Sequence, residues 1–538
     1  MKGPDKILVV NPRLLLLRLR QLAGEHKLFS WALAAGAFLR LLAILGYPGA
    51  LWFSGDSYVY VGAALRPQPN LSKSTGYSFF LRALLPFHSF TLVTTVQHLM
   101  GLAVAVMIYV LLRRYGVSKL WATVATLPQL LDGFIIEDEH MIMAESLFTF
   151  LLMVATLLLL WKPRSSWWTA VVAGLLVGAA AVVRTEGEVM LAVIPLFLLV
   201  RGWGWKTLRG WAVAVVFAVA SLVPVGAYAS WFHHHNPSSK PYDMTMSMGF
   251  YVWGRVSSFA NCAVIKPTGQ QALVCPTQPL VDRTPPGDYI WHAPYVHQDI
   301  STAAIGGPVS AKGNQLLTSF AIHAIEAQPV DYVKTVVKDV GLAFGFPRIG
   351  YPDPGTVSYY NFHLHYNESY LPPNLLNHEW IKGGTAYSDW IAYGHQAPGV
   401  VDKVFAAPIL AYQRLVFTYG PLLAVIFLMG LGGVLSVTAS GRRGRGLSSM
   451  MSWAAMRSLR LHWRPRGTSM LPWVTAVALL LAPIAVADFD YRYLIPVIPF
   501  AAMGAGLSFA PRRTAPKPDP APAGAPAAIE STVPDQVA

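Results

Sequence analysis

The sequence predicts an all-α polytopic membrane protein with about ten or more membrane-spanning helices and a mixed, loop-rich domain outside the bilayer. Hydrophobic residues occupy 54% of the 538 positions and charged residues only 13%, a composition typical of integral membrane proteins. Apolar runs long enough to cross a bilayer recur along the chain. Lysine and arginine concentrate in alternate connections between these runs, as they do in the cytoplasmic loops of membrane proteins.

Windows of about 17 to 25 apolar residues predict ten candidate spans. They cover residues 29–48, 89–111, 119–136, 141–161, 167–183, 187–200, 209–232, 418–438, 470–487 and 493–510. A basic arm without a cleavage-type signal precedes the first span, so we expect that span to be an uncleaved signal anchor.

The distribution of basic residues places the N-terminus in the cytoplasm of a multi-pass plasma (inner) membrane protein. The inner loop 439–469 contains seven arginines and no acidic residue. The net charge of +14 then reflects loops that face anionic lipid, and we expect no nucleic-acid partner. The expected organisation is a cytoplasmic arm 1–28, a first membrane part 29–232 with about seven spans and a first outer loop 49–88, an extracytoplasmic domain 233–403, a second membrane part 404–510 with about three spans, and a disordered cytoplasmic tail 511–538.

The first outer loop carries one carboxylate, Asp56, in the stretch Leu51–Tyr60. A charge at the mouth of a span is costly unless it is paired or used. Asp56 is therefore a candidate catalytic base. The alternative is a helix cap, since Gly-Asp-Ser ahead of an apolar run is also typical of a helix start.

A second acidic cluster lies between the third and fourth predicted spans. Glu137, Asp138, Glu139 and His140 are candidates for binding an acceptor or sugar hydroxyls or for holding a divalent cation, the one cofactor left open. Their alternative role is a solvated turn. Glu145, about one turn into the next span, is a further candidate because carboxylates inside a membrane are usually functional or paired.

Arginines on the same side are candidates for binding a phosphate. Arg492 is the first choice and Arg184 the second. The alternative for Arg492 is a structural ion pair with Asp488 or Asp490. For Arg40, inside the first span, we expect snorkelling towards the headgroups.

The outer segment from residue 233 contains both cysteines of the chain, Cys262 and Cys275. In an oxidising compartment they are expected to form a disulfide rather than remain free thiols. Helical periodicity is present at 314–327 and 330–344. The chain has no nucleotide-binding phosphate loop and no dinucleotide-binding glycine signature.

Four motifs resemble those of the GT-C superfamily, the polytopic glycosyltransferases that use lipid-phosphate sugars and include protein O-mannosyltransferases and aminoarabinose transferases. Gly55–Tyr58 matches the acidic residue of the first outer loop, 131–148 the second acidic motif, 183–187 the arginine turn after the fifth span, and 490–496 the closing aromatic-Arg-Tyr-x-x-Pro signature. The second motif has three acids instead of two, which leaves open whether Asp138 or Glu139 acts.

The resemblance implies an inverting transfer from a polyprenyl-phosphate-linked sugar to a hydroxyl of a cell-envelope glycan, glycolipid or protein, beside the lipid bilayer. It also implies an amphipathic helix pair in the first outer loop, at about 57–65 and 75–86. A transporter or lipid flippase is the main alternative, although it should carry polar residues near the membrane midplane. A third is a scaffold or receptor whose outer domain binds envelope material.

Overall fold

The regular secondary structure of the protein, where it is described, is helical. A computed structural model describes residues 21, 23–53, 55–162, 165–291, 306–365, 376–395, 399–435 and 467–511. Within these ranges, β pairing is limited to two isolated bridges, Leu51–Met141 and Ile381–Gly384, so the all-α class is confirmed. Most of the N-terminal arm, nearly all of the loop 439–469 and the tail from 512 lie outside the described residues.

The helices are numbered in chain order. They are α1 Lys27–Gly46, α2 Asp56–Leu65, α3 Gly76–Leu84, α4 Phe90–Arg114, α5 Lys119–Val124, α6 Leu127–Leu131, α7 Gly133–Glu139, α8 Glu145–Trp161, α9 Trp167–Val183, α10 Met190–Val200, α11 Leu208–His235, α12 Met248–Ser257, α13 Cys262–Ile265, α14 Pro286–Trp291, α15 Ala311–Ala327, α16 Pro329–Leu342, α17 Pro354–Tyr359, α18 Ala386–Gly394, α19 Lys403–Leu415, α20 Gly420–Leu435, α21 Gly467–Val486 and α22 Leu494–Ser508.

In the part of the chain that the structure describes, four helices are long and apolar enough to cross a bilayer: α1, α4, α11 and α21. The pair α19 and α20, bent by 61°, is a fifth if it counts as one span, and α8 and α9 are shorter apolar helices. These helices support a membrane protein. The count of ten spans stays a prediction.

One predicted span is wrong, because residues 119–136 do not form a single helix. The segment is broken into α5, α6 and α7. Pro128 lies in the first turn of α6, where its missing N–H costs nothing. Asp132 then caps α7 by accepting hydrogen bonds from the amides of Phe134 and Ile135, at 2.9 and 3.3 Å. A new helix start inside an apolar run makes it discontinuous.

The membrane helices approach closely where their residues are small. On α9, Gly174 and Gly178 lie one turn apart, and a Cβ at either would collide with the backbone of α11 at Phe217 or Ser221. Such small-residue contacts are the usual packing of helices in lipid. Because α9 is fixed in this way, its C-terminal end has a defined position, and Arg184 follows directly.

The segments between the long apolar helices match several predictions. α2 and α3 correspond to the expected helix pair in the first outer loop, and α15 and α16 to the periodic stretches at 314–327 and 330–344. Cys262 and Cys275 form a disulfide, as predicted. It lies beside a separate small core that includes Trp253 and Phe320.

One helix start and two helix ends converge. α2 begins at Asp56; α9 ends at Val183, one residue before Arg184; and α21 ends at Val486, six residues before Arg492. Helix C-termini carry a partial negative charge that favours nearby cations. The fold thus brings one carboxylate and two arginines from distant parts of the sequence to the same end of the helix bundle.

Candidate functional site

A cavity of about 440 Å³ lies where these helix ends meet. Its ionisable lining consists of Asp56, Lys73, Arg184, Glu186, Glu188, Asp243 and Arg492. Its apolar lining includes Val183, Val189, Ala482, Pro483, Val486 and Ala487. A cavity with one charged side and one apolar side suits a ligand whose polar head is attached to a hydrocarbon chain.

Asp56 is the first residue of α2, and its carboxylate forms part of the cavity wall. The residue before it, Gly55, has φ +83°, a left-handed conformation that glycine adopts without penalty. The N-cap of α2 is Gly55, so Asp56 lies in the first helical turn and not at the cap position. Its two oxygens instead accept from cations: Oδ1 from Lys73 and Oδ2 from Arg492 Nη1, the latter at 2.9 Å. The structure therefore shows ion pairing, not helix capping.

The acidic run 137–140 supports this loop through its backbone. The amide of Leu51 donates to the carbonyl of His140, and the amide of Ile142 donates to the carbonyl of Leu51, both at 3.0 Å. Ser57 Oγ donates to the Ile142 carbonyl at 2.9 Å. Leu51 and Ser57, which lie on either side of Asp56 in the sequence, are thus both hydrogen-bonded to residues 140–142.

Arg492 pairs with two carboxylates. Its Nη1 contacts Asp56, and its Nε lies 3.3 Å from Asp490 Oδ2. Asp490 also accepts hydrogen bonds from the backbone amide of Arg492 and, at 2.7 Å, from the hydroxyl of Tyr360. The guanidinium carbon lies 4.9 Å from the centre of the Phe53 ring, an arrangement that favours a cation. The expected ion pair with Asp490 is therefore present, together with a second pair to Asp56.

Arg184, like Arg492, pairs with two carboxylates. It pairs with Glu145, which is completely buried, and with Glu186, whose Oε1 lies 2.7 Å from Nη2. Burial tends to raise the pKa of Glu186, but the charge and hydrogen bonds of Arg184 outweigh it and lower that pKa. Glu145 thus lies behind the cavity as the partner of Arg184.

Lys73 is the cavity residue that the sequence did not single out. Its loop is fixed by hydrogen bonds from Ser247 Oγ to the Ser72 carbonyl and from the Met246 amide to the Leu71 carbonyl, both at 2.7 Å. Burial, followed by the neighbouring charges of Arg492 and Arg184, lowers the pKa of the Lys73 ammonium to about 7. No local signal marks Lys73, because the same loop also contains the basic residues Arg66 and Arg82.

The side chains of Glu137, Asp138, Glu139 and His140 are buried and do not line the cavity. Glu139 accepts two hydrogen bonds from Arg40, at 2.7 and 2.8 Å. Arg40 is only 2% exposed, so the expectation that it snorkels is wrong. An ionic partner 99 positions away satisfies its charge inside the bundle. Acceptor or sugar binding by the acidic run stays a prediction.

Removing Arg40 should destabilise the protein strongly. The variant Arg40→Met leaves the buried Glu139 carboxylate without its cation, which should cost about 3 to 5 kcal/mol. We expect a lower midpoint in thermal unfolding of the protein in lipid nanodiscs. The double variant Arg40→Met/Glu139→Gln should recover part of the loss, because no unpaired carboxylate remains. An unchanged midpoint for Arg40→Met would contradict the buried pair.

The described residues offer no ligand set for a divalent cation. They contain no group of three or more histidine, cysteine, aspartate or glutamate side chains arranged to hold a metal ion. The carboxylates of the cavity are instead engaged with arginine and lysine. We therefore assign no chemical step to a metal.

No family model and no curated protein matches the chain. Among solved structures, the Archaeoglobus fulgidus oligosaccharyltransferase in the apo form is similar at 12% identity, with a TM-score of 0.39 over 89% of this chain and 50% of the other. The oligosaccharyltransferase AglB from the same organism, in complex with an inhibitory peptide and a dolichol-phosphate, gives the same values.

The S. cerevisiae protein O-mannosyltransferase Pmt1-Pmt2 complex, bound to the sugar donor, is similar at 14% identity, with a TM-score of 0.33 over 45% of this chain and 36% of the other. The chain thus spans half or less of these solved proteins.

Proposed function

We propose that the protein is an inverting membrane glycosyltransferase that moves a sugar from a polyprenyl-phosphate donor to a hydroxyl of a cell-envelope acceptor, at the extracytoplasmic face. The observation that carries this proposal is a single carboxylate, Asp56, held between two cations, Lys73 and Arg492. It faces a cavity that has an apolar wall from the end of α21. The four sequence motifs favour the same function.

The chemistry of the donor explains why one carboxylate is enough. When the bond between the anomeric carbon and the phosphate oxygen breaks, the leaving group is a phosphate monoester, which departs without needing a proton. A glycosidase, in contrast, needs two carboxylates. Asp56 would accept the proton of the acceptor hydroxyl as its oxygen attacks the anomeric carbon from the opposite face. Lys73 and Arg492 would stabilise the departing phosphate.

The ion pairs of the cavity imply competition between Asp56 and the donor. Lys73 and Arg492 both contact Asp56, so a donor phosphate must draw these cations away from the carboxylate. Asp56 would then lose the two charges that stabilise its ionised form and become a stronger base. Donor binding would in this way activate the base that the transfer needs.

This competition predicts that Asp56→Asn binds polyprenyl phosphate more tightly than the parent protein does. With the carboxylate neutralised, Lys73 and Arg492 no longer form ion pairs with residue 56, and we expect an affinity for the phosphate about tenfold higher, equivalent to about 1.4 kcal/mol. The measurement is equilibrium binding of radiolabelled polyprenyl phosphate to the protein in nanodiscs. The control is Asp243→Asn, which removes a different carboxylate of the cavity wall. Equal or weaker binding by Asp56→Asn contradicts the competition.

The lowered pKa of Lys73 predicts a decline of transfer in alkali. The ammonium is charged below a pKa of about 7 and progressively neutral above it, so stabilisation of the phosphate is lost as the pH rises through that value. Lys73→Arg keeps its charge at every accessible pH and should retain transfer above about pH 8, where the parent declines. Identical alkaline limbs for the parent and Lys73→Arg would exclude Lys73 as the titrating group.

The proposed function is tested by supplying donors directly. Purified protein in lipid is incubated with a panel of radiolabelled polyprenyl-phosphate sugars and an envelope extract. Movement of one label to an acceptor, with release of polyprenyl phosphate, supports the transferase. A lipid flippase would instead move intact donor between the leaflets without releasing the phosphate. That outcome, without sugar transfer, would reject the proposal.

A further inference from the structure

Helix α16 exposes an apolar stripe. Val330, Val333 and Val337 are 62%, 56% and 63% exposed, and their spacing of three and four residues places them on one face of the helix. Lys334 and Lys338 are exposed beside them. A helix face in contact with water is normally polar, so we expect this apolar stripe to be covered by a partner.

Both ends of α16 rest on membrane helices. Near its start, the hydroxyl of Tyr332 donates to the carbonyl of Ala485, in the last turn of α21, at 3.0 Å. Just after its end, the ring of Phe344 packs against Phe427 of α20, with ring centres 5.5 Å apart. The first residue of α20, Gly420, abuts the backbone of Phe344. α16 therefore contacts the C-terminal end of α21 near its own start, and the N-terminal half of α20 just beyond its own end.

The opposite face of α16 is already occupied by the protein. Asp339, which is 2% exposed, pairs with Arg255 of α12. Val336 and Val340, on the side of α16 between Asp339 and the stripe, pack against the large hydrophobic core of the helix bundle. The valine stripe consequently points away from the protein. On neighbouring α20 the apolar side chains Leu422, Val425 and Leu428 are also exposed, so the stripe continues a surface that a bilayer would cover.

We propose that α16 lies in the plane of the membrane interface, with its valine stripe at the boundary of the acyl chains and its two lysines at anionic headgroups. A helix with an apolar face and flanking lysines binds anionic bilayers through buried area and charge together. This placement goes beyond the proposed transfer reaction. It holds whether or not the cavity carries sugar, because it depends only on α16, α20 and α21.

The test uses a nitroxide spin label at Val333→Cys. The two native cysteines form the disulfide, so the introduced residue supplies the free thiol for labelling. In vesicles of phosphatidylcholine and phosphatidylglycerol, we expect power saturation to show strong collisions with oxygen, which concentrates in the bilayer, and weak collisions with a water-soluble nickel chelate. The matched control is Gln315→Cys on α15, an exposed position on a helix that packs on α12, where the preference should reverse.

Two outcomes would overturn the placement. One is equal access of the nickel chelate to both labels, which would put the stripe in water. The other is protection of the label at position 333 that vanishes on dilution of the protein in lipid, with dipolar broadening at high density, since a second copy would then be its partner. The role of the lysines is tested by Lys334→Gln/Lys338→Gln. This variant should lose bilayer contact in the anionic vesicles, and an unchanged saturation profile would reject that role.

Discussion

Asp56→Asn is expected to reduce sugar transfer by about 100- to 10,000-fold, the usual contribution of a general base. The substitution preserves the size of the side chain and removes its ability to take a proton. The amide oxygen of the introduced asparagine can still accept hydrogen bonds from Lys73 and Arg492, so the fold should survive. The measurement is single-turnover transfer from radiolabelled donor at saturating concentration, so that tighter donor binding does not disguise the loss.

The matched control is again Asp243→Asn. Asp243 lines the same cavity, but its carboxylate accepts a hydrogen bond from the backbone amide of Lys240. Its neutralisation should change transfer only a few-fold. Unimpaired turnover by Asp56→Asn would remove the base from the proposed mechanism, whatever the control does.

Arg492→Gln is expected to cause the second large loss, about 100- to 1,000-fold in kcat, as for removal of a group that stabilises charge in the transition state. The substitution also removes the cationic partner of Asp490, which is largely buried. A buried carboxylate without its cation lowers stability by itself. Arg492→Gln/Asp490→Asn separates the two effects. This double variant should regain thermal stability and remain inactive.

The contrast with Arg492→Lys sharpens the test. Lysine keeps the charge but loses the fork that reaches Asp56 through Nη1 and approaches Asp490 through Nε, so transfer should be only partly restored. If the double variant recovers transfer together with stability, Arg492 is a structural residue and the phosphate has another partner.

Part of the cavity could be predicted from the sequence because charge at the end of an apolar run is rare and costly. Asp56, Arg184 and Arg492 each stand out against apolar neighbours, and the structure brings all three to one cavity. The disulfide followed from the presence of only two cysteines in the chain. Each of these features can be recognised in the sequence without knowing which residues contact each other.

Residues that depend on pairing could not be predicted in the same way. Lys73 lies in a polar loop, where a lysine is unremarkable, and only the packed loop brings its ammonium to Asp56. Arg40 has its partner Glu139 99 positions away, so a single sequence shows the buried charge and not the pair that satisfies it. The general tendency of arginines in a span to extend towards the headgroups therefore gave the wrong position for Arg40.

The prediction of a single span at 119–136 was wrong for a different reason. Hydropathy measures whether a stretch is apolar, not whether its helix is continuous. Pro128 and the pair Asp132-Gly133 were the available signals, since proline favours a helix start and aspartate before glycine favours a cap. In the structure Asp132 also accepts a hydrogen bond from the amide of Thr418 at 2.6 Å, a contact that sequence spacing does not reveal.

The most direct test is the position of the phosphate in a structure of the protein with bound polyprenyl phosphate. We predict the phosphorus in the cavity, with its oxygens within about 3 Å of Lys73 Nζ and the Arg492 guanidinium, and with Asp56 released from both cations. A phosphate bound elsewhere, while Lys73 and Arg492 still hold Asp56, would contradict the mechanism.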